Sequence, residues 1–166
     1  MTSCIAIRPA FAIALAFAVT VPTPATKSAA AFAELKSLAG EWDAVQDGVP
    51  VRETYTVTAD GSALMAETRP AKGPAMITMF TVDGETLLAT HYCSAGNQPH
   101  MIARSPTDLR DGLVFTFDRV TGMKTPGDWH NTGITITLVD PSHMTQTWTY
   151  LYNGKVGATV FHYTRK

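Results

Sequence analysis

Short segments in which apolar and polar side chains alternate follow one another through most of this chain, from residue 41 onward. In residues 132–139, for example, Ile134, Ile136 and Leu138 alternate with two threonines and a valine. A period of two places alternate side chains on opposite faces of a strand, so the pattern predicts β-strands with one covered face. No helical period of useful length interrupts these segments, and we therefore expect an all-β protein.

Pairs of turn-forming residues separate the segments. Asp83-Gly84 and Asn153-Gly154 are of the kind that closes two-residue β-hairpins, and Asp47-Gly48 and Asp60-Gly61 also end segments. Together, alternation and turns predict about ten strands, because strand runs are bounded by such turn signals. They are expected at residues 41–46, 51–58, 62–68, 76–82, 85–93, 100–104, from 113, 132–139, 143–152 and 156–164.

Links of hairpin length, without any strand–helix–strand unit, indicate an antiparallel meander. Such a sheet removes its free edges by closing, so we predict an up-and-down β-barrel of about 8–10 strands. A two-sheet sandwich is the alternative, but it would require longer crossovers than residues 120–131, the longest link in the sequence. A short helix over residues 31–38, with Leu35 and Leu38 on one face, is expected to end at Gly40 before the first strand.

Residues 1–30 have the pattern of a secretory signal peptide. Arg8 precedes an apolar stretch of 12 residues at positions 10–21, which is shorter than the roughly 20 residues of a membrane-spanning helix. Exit sites with small residues end at Ala25 and at Ala30, and the second defines a mature domain of residues 31–166. We therefore expect an extracytoplasmic protein, periplasmic or secreted, whose mature chain does not insert stably into a membrane. An uncleaved membrane anchor is the alternative.

Composition limits the partners that such a chain can have. Charged residues make up 16% of the sequence and the net charge is −1, which excludes a disordered, highly charged chain and a basic surface for nucleic acid. Cys93 is the one cysteine of the predicted mature domain, so no internal disulfide is expected. Stability must then come from a buried core, and the sequence does not predict an oligomeric state.

Two motifs resemble a known family. Gly40-Glu41-Trp42, which opens the first predicted strand, resembles the Gly-x-Trp signature of lipocalin and calycin barrels, in which the tryptophan closes the barrel floor. Residues 90–99 are similar to a Thr-His-Tyr-Cys-x-x-Gly-Asn-Gln-Pro block in an uncharacterised family of exported bacterial lipocalin-like proteins. The resemblance covers nearly all of the mature domain. It implies a barrel fold and an extracytoplasmic location, and it implies no activity.

The same block supplies most of the candidate ligand-binding residues. His91 and Tyr92 end a predicted strand, and Asn97 and Gln98 add amide donors and acceptors to the turn that follows. Polar groups at a strand end often fix a ligand in the mouth of a barrel. The alternative is a hydrogen-bonded turn in which the two amides satisfy loose backbone groups.

Glu67 and Trp148 complete the predicted binding set. Glu53 and Glu67 both have apolar neighbours at the alternating positions, so an inward-facing carboxylate would need a partner. Arg104 or Arg119 could supply one, and a buried Glu–Arg pair could then hold a carboxylate ligand. A strand end that leans into water is the alternative for each acid. Trp148, with the other aromatic residues, could either line a pocket or fill a core.

These observations predict a protein that holds a small apolar or amphipathic molecule inside a β-barrel, without catalysis. The alternative is an enzyme that uses His91 as acid or base in the same cavity, assisted by Tyr92 or Glu67. The enzyme would require His91, Tyr92, Asn97 and an acid to converge on one open cavity.

The five histidines lack the usual spacings of metal ligands, so we predict neither a metal nor a cofactor. A metal site and a haem site are the two alternatives. His91 and His100 could approach each other across the turn and share a metal with Cys93, and His162 could be the axial ligand of a haem.

Overall fold

The computed structural model describes residues 26–166, and most of the predicted signal peptide lies outside them. The described residues contain one α-helix, two short 3₁₀ helices at Ala59–Gly61 and Leu109–Asp111, and ten β-strands. The elements are α1 (Lys27–Lys36), β1 (Gly40–Gln46), β2 (Val49–Thr58), β3 (Ala63–Pro70), β4 (Met76–Asp83), β5 (Thr86–Tyr92), β6 (Gln98–Ala103), β7 (Leu113–Thr121), β8 (His130–Asp140), β9 (His143–Tyr152) and β10 (Lys155–Arg165).

Each strand pairs antiparallel with its neighbour in sequence, and β1 pairs with β10, so the sheet closes into a barrel. The prediction of an all-β, up-and-down antiparallel barrel is confirmed with ten strands, and the described residues do not form the alternative sandwich. The pairing that closes the barrel is short: across the β1–β10 seam, Trp42 is the partner of Arg165 and Asp43 is the partner of Thr164.

Turn chemistry explains how the meander reverses direction. Asn153 and Gly154 both have positive φ, at 47° and 74°, as a type I′ hairpin requires. The β4–β5 hairpin differs by one residue from its prediction, since Asp83 pairs with Thr86 and the turn begins at Gly84. That single step leaves the alternation of both strands intact.

Helix α1 begins at Lys27, four residues earlier than predicted. Thr26 caps it, because its Oγ1 accepts a hydrogen bond of 3.1 Å from the amide of Ala29. In the first turn, Ser28 is fully buried and donates to the carbonyl of Gly84 at 2.7 Å. Cleavage after residue 30 would remove this turn, whereas cleavage after residue 25 would leave the helix whole.

One end of the barrel, which we name the helix end, is closed by α1. Its side chains Phe32 and Leu35 and the following Leu38 are buried in the core. Burial of each such side chain contributes about 1.5–3 kcal/mol. Glu34 ties the helix to the β6–β7 link, since its Oε2 accepts a hydrogen bond of 2.9 Å from the amide of Leu109.

The tryptophan of the Gly-x-Trp motif lies at this closed end. Trp42 is fully buried, and its Nε1 donates to the carbonyl of Leu38 at 2.8 Å. The Arg165 guanidinium stacks 4.1 Å from the centre of its ring and donates to the carbonyls of Ser37 and Ala39, each at 3.0 Å. A stacked, hydrogen-bonded arginine therefore joins the last strand to the loop after α1 and seals the helix end.

The opposite end, which we name the open end, carries the links after β1, β3, β5, β7 and β9. Small side chains point inward from β10 here, where Gly157 precedes Thr159 on the inner face. A Cβ atom on Gly157 would overlap the ring of Tyr150, which lies against its backbone. Small inward residues leave space inside this end of the barrel.

Candidate ligand-binding cavity

A cavity of about 240 Å³ lies inside the open end of the barrel. A cavity of this size suits a small molecule or one end of a larger one. Its walls are mainly apolar and aromatic: Met76, Trp129, Trp148, Tyr150, Phe161 and Tyr163. Trp129 comes from the link before β8, so the wall combines strands with a loop at the rim.

Aromatic packing fixes the shape of the cavity. The rings of Trp129 and Tyr150 are 5.5 Å apart and tilted by 33°, and those of Phe161 and Tyr163 are stacked at 5.7 Å. Separations of this size are favourable for aromatic pairs. A small ligand entering the open end would therefore meet aromatic surfaces that are already positioned.

The polar part of the lining consists of Thr68, His91, Cys93, Ser94, Asn131 and Thr159. Cys93 and Ser94 belong to the β5–β6 turn at the rim, and the Cys93 Sγ accepts a hydrogen bond from the amide of Ala95 at 3.4 Å. Asn131 is buried and donates to the carbonyl of Thr149 at 3.4 Å. Few polar groups in an apolar concavity are typical of a small-molecule site.

His91 is an uncharged polar group of this wall. It is 4% exposed, its ring lies 4.9 Å from that of Trp148, and its Nδ1 is 2.9 Å from Thr78 Oγ1. Burial lowers the pKa of His91 to about 4, so the imidazole is neutral at physiological pH. No hydrogen bond reaches its Nε2 from residues 26–166, which leaves that atom for a ligand.

A buried hydrogen-bond network lies next to the cavity wall. Trp148 Nε1 donates to Gln146 Oε1 at 2.8 Å, and Gln146 Nε2 donates both to Glu53 Oε1 at 2.8 Å and to the Tyr55 hydroxyl at 2.7 Å. Gln146 is thereby fully engaged and fully buried. The network connects a wall residue of the cavity to a carboxyl group in the barrel interior.

Glu53 is the unusual member of the network. It is 2% exposed, and its Oε2 accepts no hydrogen bond from the described residues. Burial raises the pKa of Glu53, although the hydrogen bond from Gln146 and the nearby hydroxyls of Tyr163, Tyr55 and Thr68 favour its charged form. Tyr163 and Thr68 both line the cavity, so Glu53 is a neighbour of two residues of its wall.

The Glu–Arg pair that the sequence left open as one alternative does not form among the described residues. Neither Arg104 nor Arg119 reaches Glu53, since both are exposed and Arg119 instead pairs with Asp118 at 2.7 Å. An arginine side chain on the outer face of a closed barrel cannot pass through the sheet to an inward carboxyl group. The alternative in which a buried Glu–Arg pair holds a carboxylate ligand is therefore excluded for Glu53 with these two arginines.

Two of the six predicted binding residues line the cavity, His91 and Trp148. Tyr92 follows His91 on the strand, points to the outer face and is 50% exposed. Glu67 also faces outward, where it pairs with Arg69 at 2.6 Å. Neither of these two side chains lies in the cavity wall, because adjacent strand residues face opposite sides of the sheet.

Asn97 and Gln98 are used by the turn itself. The buried Asn97 donates to the carbonyl of Trp129 at 2.7 Å and so fastens the β5–β6 turn to the loop that carries this wall residue. Gln98 donates to the carbonyl of Gly96 at 3.3 Å and accepts from the Thr121 hydroxyl at 3.2 Å. The four groups that the enzyme alternative needs thus do not converge on the cavity.

The remaining histidines of the alternatives lie outside the barrel interior. His100 pairs with Thr90 across β5 and β6, its Nδ1 3.2 Å from the Thr90 hydroxyl, on the face opposite His91. His162 is exposed next to Thr145. Within residues 26–166, no three His, Cys, Asp or Glu side chains come together as a metal site requires.

Three features of the site were not predicted from the sequence: Gln146, Tyr163, and the place of Glu53 in the buried hydrogen-bond network. A glutamine between Met144 and Trp148 on the inward face of β9 is a signal of the same kind as Glu53, because a buried amide needs partners. A polar residue on the inward face of β2 and another on that of β9 together indicate that Glu53 and Gln146 could be partners.

No helix among residues 26–166 is long and apolar enough to cross a membrane.

Comparison with protein-family models gives no match, and comparison with curated proteins gives none either. Among solved structures, the chain is similar to a protein of unknown function from the DUF3598 family of Nostoc punctiforme, with 12% identity and a TM-score of 0.42. The match covers 78% of this chain and 48% of that one, so this chain spans about half the length of that structure. The resemblance to the lipocalin-like family stays a prediction.

Proposed function

We propose that this protein is an exported binding protein that holds a small apolar or amphipathic molecule in the cavity at the open end of its barrel. One observation carries the proposal: an aromatic cavity of about 240 Å³ opens at one end of a barrel whose other end is sealed. A concave, mainly apolar site with a few oriented polar groups is the usual form of a small-molecule site. A single entrance suits retention of a ligand.

Apolar burial would supply most of the affinity. A ligand of about ten non-hydrogen atoms that buries roughly 200 Å² of apolar surface gains about 5 kcal/mol at about 25 cal/mol per Å². Loss of rotational and translational freedom opposes this gain. For so small a probe we expect a dissociation constant in the micromolar to millimolar range.

Export is the second part of the proposal. It is supported by the signal pattern of residues 1–30 and by the resemblance to exported lipocalin-like proteins. Cleavage after Ala25 fits the helix best, because Thr26 is the residue that caps α1. Cell fractionation of the native host would find the protein outside the cytoplasm if this part is right.

The binding proposal can be tested by tryptophan fluorescence. Trp129 and Trp148 line the cavity, whereas Trp42 is buried at the helix end, so a ligand should change the emission of the first two. The probe is 2-phenylethanol, which is neutral and small enough for the cavity. Saturable binding is expected.

A matched pair of variants places the binding. Thr159→Phe adds a ring to an inward position of the wall, and Val160→Phe adds the same ring on the outer face of the same strand. We expect Thr159→Phe to weaken binding at least tenfold and Val160→Phe to leave it unchanged. Should Thr159→Phe not fold, Ser94→Trp at the rim and Ala95→Trp beside it form a second pair. Equal binding by both members of the folded pair, or no saturable binding to the wild type, would overturn the proposal.

A further inference from the structure

The charged and polar groups around the cavity indicate the charge of its ligand. We propose that the cavity binds a small organic cation, with an aromatic or alkyl body and an ammonium group, and that Glu53 is its counter-ion. This inference rests on the function proposed above and specifies the ligand class.

An anion would find no partner in this site. Among the described residues, no Lys or Arg lines the cavity, and His91 is the nearest group that could become positive. Burial keeps that imidazole neutral, since it lowers the pKa of His91 to about 4. A buried negative charge needs a cation or several donors, so the site disfavours a carboxylate or phosphate ligand.

Glu53 supplies the opposite kind of partner. Its Oε1 accepts from Gln146, but its Oε2 has no hydrogen bond from the described residues, although the side chain is 2% exposed. Buried polar atoms without a partner are rare in folded proteins. Thr68 and Tyr163 both line the cavity, and their hydroxyls are near enough to Glu53 to favour its charged form. An ammonium group bound at this part of the wall would be separated from the carboxyl group by no more than these two side chains.

The aromatic wall independently favours a cation. Trp129, Trp148, Tyr150 and Phe161 all line the cavity. The negative face of an aromatic ring attracts an ammonium group, and tryptophan attracts it most strongly. The body of the ligand would bury apolar surface against the same rings.

The test compares three probes that share a phenylethyl body: 2-phenylethylamine, 2-phenylethanol and 3-phenylpropanoate. At pH 7.5 we expect the amine to bind at least tenfold more tightly than the alcohol, and the carboxylate to bind more weakly than the alcohol. Titration by tryptophan fluorescence gives the three dissociation constants. Glu53→Gln keeps the size of the side chain and its acceptor for Gln146. It should abolish the advantage of the amine, so that the variant binds the amine and the alcohol with similar dissociation constants.

A pH series on the wild type provides a second measurement should Glu53→Gln not fold. The titratable groups near Glu53 are Tyr55 on β2, Tyr163 on β10 and, across the cavity, His91 on β5. Burial raises the pKa of both tyrosines and lowers that of His91, so these three stay neutral between pH 5.5 and 8. Since burial also raises the pKa of Glu53, the amine should bind more tightly as the pH rises and Glu53 ionises, whereas binding of the alcohol should not change.

The outcomes separate the two proposals. If no probe binds, both the binding function and the ligand class are overturned. If the alcohol binds and the amine has no advantage, or if folded Glu53→Gln retains that advantage, the cation inference is overturned and the binding function stands. Amine binding that needs Glu53 and tightens with pH would support both.

Discussion

Replacing His91 by glutamine should remove a specific part of the acid sensitivity of this protein. The folded chain keeps the imidazole buried beside Trp148, which lowers its pKa to about 4. In the unfolded chain a histidine titrates near its ordinary pKa of 6.5. Glutamine does not titrate in this range, and its amide can still bond to the Thr78 hydroxyl.

The size of the effect follows from the two pKa values. Above pH 6.5 both states hold a neutral histidine and the group has no effect on stability. As the pH falls from 6.5 to about 4, the unfolded state binds a proton that the folded state does not, so stability is lost. At about 1.4 kcal/mol per pH unit, His91 accounts for a loss of about 3 kcal/mol over this interval.

Urea unfolding of wild type and His91→Gln at half-unit steps between pH 4 and 7.5 measures this loss. The difference between their unfolding free energies should change by about 3 kcal/mol across the window and stay constant above pH 6.5. His162→Gln is the matched control, because His162 is exposed on the outer face, and its profile should parallel the wild type. Parallel profiles for wild type and His91→Gln would show that burial of His91 does not contribute to the acid sensitivity.

Three further predictions concern other parts of the molecule. Glu53→Gln should be more stable than wild type at neutral pH, because burial raises the pKa of Glu53 and the folded state loses stability as the pH rises from the unfolded value of 4.5. Urea unfolding at steps from pH 4.5 to 8 should show the stability advantage of the variant growing as the pH rises, by at most about 1.4 kcal/mol per pH unit. Arg165→Ala should lower the unfolding free energy by about 1–3 kcal/mol, because it removes a stacked guanidinium and its hydrogen bonds. Arg69→Ala is the control: it breaks an exposed ion pair and should lower the unfolding free energy by less than about 1 kcal/mol. Intact-mass analysis of protein from the native host should give a chain that begins at Thr26, because cleavage after Ala25 keeps the residue that caps α1. A chain that begins at residue 31 would contradict this assignment.

The barrel could be predicted because its signals are local. Period-two alternation and residues such as Asn153-Gly154 specify strands and hairpins within a few positions, and a meander of short hairpins removes its free edges when its first and last strands pair. The start of α1 was misplaced for an equally physical reason. Its first turn is held by Ser28 to the distant Gly84, a contact that no local pattern shows.

The site was harder to predict, because it depends on which face of each strand points inward. On β3 both faces carry apolar residues, so alternation alone grouped Glu67 with Ala63 and Met65. The register with β2 determines which face of β3 points inward. Tyr55 lies opposite Ala66 and Val57 lies opposite Leu64, so Glu67 points outward. His91 needed no such choice, since its neighbours Leu87 and Ala89 already mark the inward face of β5.

Native mass spectrometry of protein purified from its own host shows whether the cavity holds a ligand. Wild type and Val160→Phe should carry a non-covalent mass excess that disappears on denaturation, and Thr159→Phe, whose added ring occupies the cavity, should lack it. An ammonium-bearing compound released from the wild type would also identify the partner of Glu53. The same excess in all three proteins would place the ligand outside the cavity and contradict the account. So would the absence of any excess from wild type even after addition of 2-phenylethylamine and 2-phenylethanol.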